Sequence, residues 1–125
     1  MKKDLILRIY AYAVCAILLF VGLIFVIEGT GGIVKIAAPA LTMNQRDWAS
    51  IASFQSFKTD WEKTEGAPEL TDEELRVRWQ DKRQVALMTE KRRGAQSLIH
   101  MLIAFVWLTP LFIIHWRLAR RLRPE

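Results

Sequence analysis

Two long stretches of the chain, residues 9–27 and 95–116, contain no Asp, Glu, Lys or Arg. The first rises through AILLFVGLIFVI, and its 19 residues reach about 28 Å as a helix, close to the thickness of a bilayer's hydrocarbon layer. The second, AQSLIHMLIAFVWLTPLFIIHW, has 22 residues and reaches about 33 Å, with Trp107 inside it and Trp116 at its end. A soluble core can hide one such helix, but the rest of this chain is too short to cover two that are apolar on every side. The pattern predicts two transmembrane helices.

Between them the periodicity changes. Gly29-Thr30-Gly31-Gly32 and then Pro39 predict that the first helix stops and that residues 28–41 form a turn and irregular connector. Thr42-x-x-Gln45 matches a capping box, and Trp48, Ile51, Phe54, Phe57 and Trp61 then recur every three or four residues up to Gly66-Ala67-Pro68, predicting one helix of about 22 residues. A second box, Thr71-x-x-Glu74, opens another helix with Asp72, Glu73 and Glu74 in its first turn, where they complement the helix dipole. Leu75 and Trp79 share a face, and beyond them Val85, Ala86 and Met88 stand among many charges. Only Gly94 separates this helix from the second span, so a nearly continuous helix is expected over 72–120, roughly 70 Å long, with Gly94 as a hinge. The expected fold is an all-α membrane protein: two transmembrane helices joined by an extramembrane helical hairpin, the second hairpin helix continuous with the second span, and no strand. Its parts are a tail 1–8, a span 9–27, a loop module 28–94, a span 95–116 and a tail 117–125.

Composition sharpens this. The chain of 125 residues is 52% apolar, has a mean hydropathy of +0.14, and still carries 25% charged residues. Such a chain is neither a single soluble globule nor disordered, and the lone Cys15 excludes an intrachain disulfide. The net charge of +5 lies wholly in the tails, where Lys2, Lys3 and Arg8 face Asp4, and Arg117, Arg120, Arg121 and Arg123 face Glu125; the loop carries 11 basic and 11 acidic residues. Dense basic tails place both termini in the cytoplasm of a bacterial-type inner membrane, although Lys91-Arg92-Arg93 beside the second span argues the other way. Lys2, Lys3, Arg117, Arg120, Arg121 and Arg123 are expected to meet anionic lipid headgroups rather than nucleic acid. A cleavable leader fits poorly, since Ala38-Pro39-Ala40 lies ten residues beyond Ile27 and the apolar run is too long.

Chemistry is sparse. His100 and His115 both lie in the second span, about 22 Å apart along the helix and about 60° apart around it, a spacing that suits two stacked b-type haems, a proton relay or part of a quinone site. A haem also needs opposing ligands, and the first span has no histidine, so the plainer reading is that both bond to water or a neighbouring helix. Pro110 lacks an N–H and clashes with the carbonyl of Val106, which predicts a kink, with Thr109 able to bond a freed carbonyl. Ala11, Cys15 and Gly22 form a strip of small residues that lets another helix approach. Residues 29–32 do not make a phosphate loop, because a membrane span precedes them and Pro39 comes after. No metal-ligand spacing and no catalytic constellation stands out; charges such as those in RVRWQDKR alternate as on a solvated helix face.

The plain reading of Trp48, Ile51, Phe54, Phe57, Trp61 and Trp79 is a core face between two helices. The functional readings are an interfacial helix on headgroups or a docking face for a partner. These features together lead to the expectation of a non-enzymatic accessory or scaffold subunit without a cofactor, its partners being lipids, other integral membrane subunits and a second copy of itself. One alternative is a signalling adaptor acting with a partner in trans, since the short tail leaves no room for an output domain. The other is a haem- or quinone-binding redox subunit.

Overall fold

The computed structural model describes residues 2–121, and of Lys2 the backbone alone, so Arg123 and the Lys2 side chain lie outside the described residues. Among the described residues every regular element is helical: α1 Lys2–Ala37, α2 Pro39–Thr42, α3 Gln45–Ala52, α4 Phe54–Glu62 and α5 Asp72–Arg121. α1 and α5 are each long and apolar enough to cross a membrane. The chain divides into two compact units, one made of residues up to Gly31 with those from Gln96, the other Gly32–Ala95.

In the first unit, α1 does not stop at its glycines, contrary to the sequence expectation; it runs through residues 29–32 and ends only at Ala37. The stop comes from Pro39, which pushes Ala38 out of helical geometry (φ −138°, ψ 65°). A glycine inside a helix costs about 1 kcal/mol relative to alanine, and here packing offsets that cost. Gly29 is buried, and a Cβ on it would collide with the Met101 sulfur. The buried or half-buried positions Ala11, Cys15, Leu18, Gly22, Phe25 and Gly29 step by four and three residues, the 3.5-residue period of a coiled-coil seam. Met101, Phe105, Leu108, Phe112, His115 and Ala119 repeat the same step on α5.

In the second unit, the single helix expected from Thr42 to about Gly66 is instead two, α3 and α4, with the short α2 ending at Thr42 before them. Pro39 sits in the first turn of α2, and the Thr42 hydroxyl donates to its carbonyl (3.1 Å) rather than capping α3. The cap of α3 is Asn44, whose Oδ1 accepts from the Asp47 N–H (2.8 Å) while its Nδ2 donates to the Asp47 carboxylate (2.8 Å). Ser53 is extended (φ −135°, ψ 147°), which breaks the helix, and its hydroxyl oxygen caps α4 by accepting from the Ser56 N–H (3.1 Å). After α4, Gly66 adopts φ +79°, a left-handed turn that glycine alone makes without strain. The second capping box forms as expected: the Thr71 N–H donates to Glu74 (2.9 Å) and the Glu74 N–H to the Thr71 hydroxyl (3.4 Å). α5 then continues without a break through Gly94 and Pro110 to Arg121.

Candidate functional site

The aromatic residues of α4, with Ile51 of α3, gather on the first turns of α5. Ile51, Phe57 and Leu75 are buried, Ile51 to 1% exposure, while Trp48, Phe54, Trp61 and Trp79 are half-buried around them. Phe54 meets Trp79 edge-on with centroids 6.0 Å apart, and Phe57 meets Trp61 at 6.1 Å. Indole nitrogens satisfy backbone carbonyls: Trp79 donates to Ile51 (3.1 Å) and Trp61 to Pro68 (3.3 Å).

Four cations close over these rings. Arg76 lies 4.9 Å from the Phe54 centroid, Arg78 5.1 Å from Trp61, Lys82 5.3 Å from Phe57 and Arg83 5.6 Å from Trp79. At such exposed positions each contact is worth about 0.5–1 kcal/mol. The alternating charges of RVRWQDKR are therefore more than a solvated face. Their spacing carried the information, because Arg76 and Arg83 flank the Leu75–Trp79 stripe on one side and Arg78 and Lys82 on the other. A salt bridge from Lys58 to Asp72 (2.7 Å) ties α4 to the start of α5. That hydrogen bond and charge hold the Asp72 carboxyl below its ordinary value and raise Lys58, and hydrogen bonds from Thr71 depress Glu74.

Elsewhere in this unit, Gly94 is buried, and a Cβ on it would lie 2.5 Å from the Gly32 carbonyl oxygen and 2.9 Å from the Lys35 Cβ. Next to it is a polar cavity of about 330 Å³ lined by Lys35, Asn44, Asp47, Thr89, Glu90 and Arg93. Glu90 is 6% exposed and meets Arg93 at 3.5 Å. Neither Lys35 nor Glu90 stood out in the sequence, where each is one charge among many.

In the first unit, Ala11 and Cys15 are buried on the seam, but Gly22 borders an open apolar groove of about 360 Å³ shared with Leu18, Val26, Phe105, Leu108 and Thr109. Nothing lies within 4 Å of a Cβ built on Gly22. Thr109 makes no hydrogen bond to the Val106 carbonyl among the described residues; it lines that groove instead. His115 is half-buried, its Nδ1 2.8 Å from the Leu111 carbonyl and its ring 6.1 Å from that of Tyr10. A carbonyl oxygen only accepts, so Nδ1 donates this bond. His100 is exposed, as are Lys3, Arg117, Arg120 and Arg121. Among the described residues no group of three His, Cys, Asp or Glu side chains is placed to hold a metal ion. No family model, curated protein or solved structure matches the chain.

Proposed function

We propose that the chain is a two-span membrane protein, with α1 and α5 crossing the bilayer as a hairpin, and that it serves as a non-enzymatic accessory or scaffold subunit of a larger complex in a bacterial-type cytoplasmic membrane. The observation that carries the membrane reading is the exposure of the apolar helices. In the most apolar 18-residue window of α1 only 11% is buried, and in that of α5 none is. Phe20, Val106 and Trp107 stand 66%, 70% and 69% exposed. Burying a side chain of this kind is worth about 1.5–3 kcal/mol, so a surface made of them is stable only against lipid or another apolar helix.

The basic tails favour cytoplasmic termini, with Arg117, Arg120 and Arg121 at the lipid phosphates and the 32–95 unit on the opposite side. Docking falls to the half-buried aromatic residues, Trp48 and, with their cations, Phe54, Trp61 and Trp79, because Ile51 and Phe57 are occupied by the unit's own core. The test is extraction of the tagged full chain in mild detergent, followed by native mass measurement with and without Trp61→Ala. A stoichiometric assembly that loses its partner in the variant supports the reading. Only free monomer, under every extraction condition, refutes the subunit role, and release of the chain by an alkaline carbonate wash refutes membrane insertion.

A further inference from the structure

Glu90 is the one buried charge among the described residues, and its single hydrogen-bond partner there is Arg93 at 3.5 Å, the outer limit of a hydrogen bond. A carboxylate has about four acceptor positions, so Glu90 keeps acceptor capacity for a donor brought into the cavity that it lines. The cavity it lines also holds Lys35, half-buried and without a hydrogen-bond or ion-pair partner among the described residues. Arg93 is 63% exposed at its side chain and has donors to spare. Asp47, on the same wall, is engaged by Asn44.

The wall thus pairs two cations with two carboxylates. A simple anion placed there would face Glu90 and Asp47, and a simple cation would face Lys35 and Arg93. A ligand carrying both charges a few bonds apart satisfies all four. Lys35 is the first basic residue after the 9–27 stretch and Arg93 the last before the 95–116 stretch, the level at which lipid phosphates lie if those stretches cross a bilayer. Gly94 permits the close approach that sets the Lys35 stem beside this wall.

We propose that this cavity binds a phosphoethanolamine group, its phosphate held by Lys35 and Arg93 and its primary ammonium by Glu90. The lipid form of the ligand rests on the membrane reading above; the headgroup chemistry does not. A primary ammonium donates hydrogen bonds to a buried carboxylate, and the trimethylammonium of choline cannot.

The test uses the full chain in detergent, titrated with phosphatidylethanolamine, phosphatidylcholine and phosphatidylglycerol of matched acyl chains, and separately, in the same detergent, with glycerophosphoethanolamine and inorganic phosphate, read by native mass spectrometry. The ethanolamine lipid is expected to bind at least about tenfold more tightly than the choline lipid, the scale of one hydrogen bond to a charged group. Glu90→Gln should erase that preference, and Lys35→Gln should weaken both lipids. Equal binding of the two lipids overturns the proposal, and so does inorganic phosphate that binds as tightly as glycerophosphoethanolamine where both bind. So does a folded Glu90→Gln protein that keeps the preference. Should Glu90→Gln lose its helical circular dichroism, unchanged ethanolamine-lipid binding by Lys35→Gln is the overturning result. Competition by glycerophosphoethanolamine supports the site and assigns it to the free headgroup, and retention of the lipid alone supports it and assigns it to the bilayer. Because the headgroup titration needs no bilayer, glycerophosphoethanolamine bound in preference to inorganic phosphate supports the site even if carbonate washing releases the chain.

Discussion

Replacing Gly94 with alanine sets two effects of opposite sign against each other. Alanine is favoured over glycine in a helix interior by about 1 kcal/mol, and on that ground alone Gly94→Ala stabilises α5. The structure adds a penalty. The new Cβ would lie 2.5 Å from the Gly32 carbonyl oxygen, 2.9 Å from the Lys35 Cβ and 3.0 Å from the Ile36 Cγ1, where ordinary contact begins near 3.4 Å. Two of these neighbours are backbone or backbone-anchored atoms that cannot rotate away, so the two helices must separate by most of an ångström. Overpacking of this kind costs typically about 1–3 kcal/mol; a contact at 2.5 Å belongs to the upper half of that range, and after the gain of about 1 kcal/mol the net expectation is destabilisation of about 1–2 kcal/mol. Gly31→Ala is the control, since nothing lies within 4 Å of its Cβ and the propensity gain should survive intact. Both variants are measured by denaturant unfolding of the detergent-solubilised full chain, followed by circular dichroism at 222 nm. If Gly94→Ala matched or exceeded the native protein, as Gly31→Ala should, the close-packing argument would be wrong.

Three further outcomes are expected of the 32–95 unit. Trp79→Phe keeps a ring against Phe54 but strips the donor from the Ile51 carbonyl, and an orphaned buried carbonyl costs about 1–3 kcal/mol; equal stability of the variant in the same unfolding assay would sink the claim. Asn44→Ala should lower the protection of α3 amides in hydrogen exchange by about 1 kcal/mol and Thr42→Ala should leave it unchanged, whereas the reverse ranking would restore Thr42 as the cap. Glu74 and Asp72 have depressed folded pKa values, so their contribution is present above the unfolded carboxylate range and is lost as pH falls through their still lower folded values. Amide protection at the start of α5 should therefore hold from neutrality to about pH 5 and decline below about pH 4, with Thr71→Ala removing the Glu74 share; a decline already complete near neutrality contradicts this.

The two apolar stretches, the Thr71 capping box and the unbroken course of α5 were all legible in the chain because each depends on neighbours in sequence. The end of α1 was not. Gly29 and Gly32 carry the local marks of a helix stop, and packing against residues far along the chain overrides them, Met101 for one and Gly94 for the other. A longer pattern did hold the answer: Cys15, Gly22 and Gly29 are spaced by heptads, so the strip of small residues that draws attention to the middle of α1 continues straight into the supposed turn. The split of the 42–66 helix had a subtler sign. Asn44-x-x-Asp47 and Ser53-x-x-Ser56 compete with Thr42-x-x-Gln45, and a polar residue whose side chain caps the backbone ahead of it favours a break at each such point.

The candidate site divides along the same line. Periodicity alone located the aromatic residues, since a stripe recurring every three or four positions has to face something. The partners of that stripe could not be read the same way, because a cation over a ring and a cation in water look alike in sequence. Arg76, Arg78, Lys82 and Arg83 differ from the other charges of α5 only in lying one helical step to either side of Leu75 and Trp79. Glu90 was hidden for a stronger reason. Nothing in its neighbourhood, Thr89-Glu90-Lys91-Arg92-Arg93, separates it from a solvated helix face, and its burial comes from the segment around Lys35 and Asn44, brought in where Gly94 lets the backbones meet. The close approach at Gly94 and the buried charge at Glu90 are consequently one feature: forcing the helices apart at Gly94 should also open Glu90 to water and loosen whatever the cavity holds.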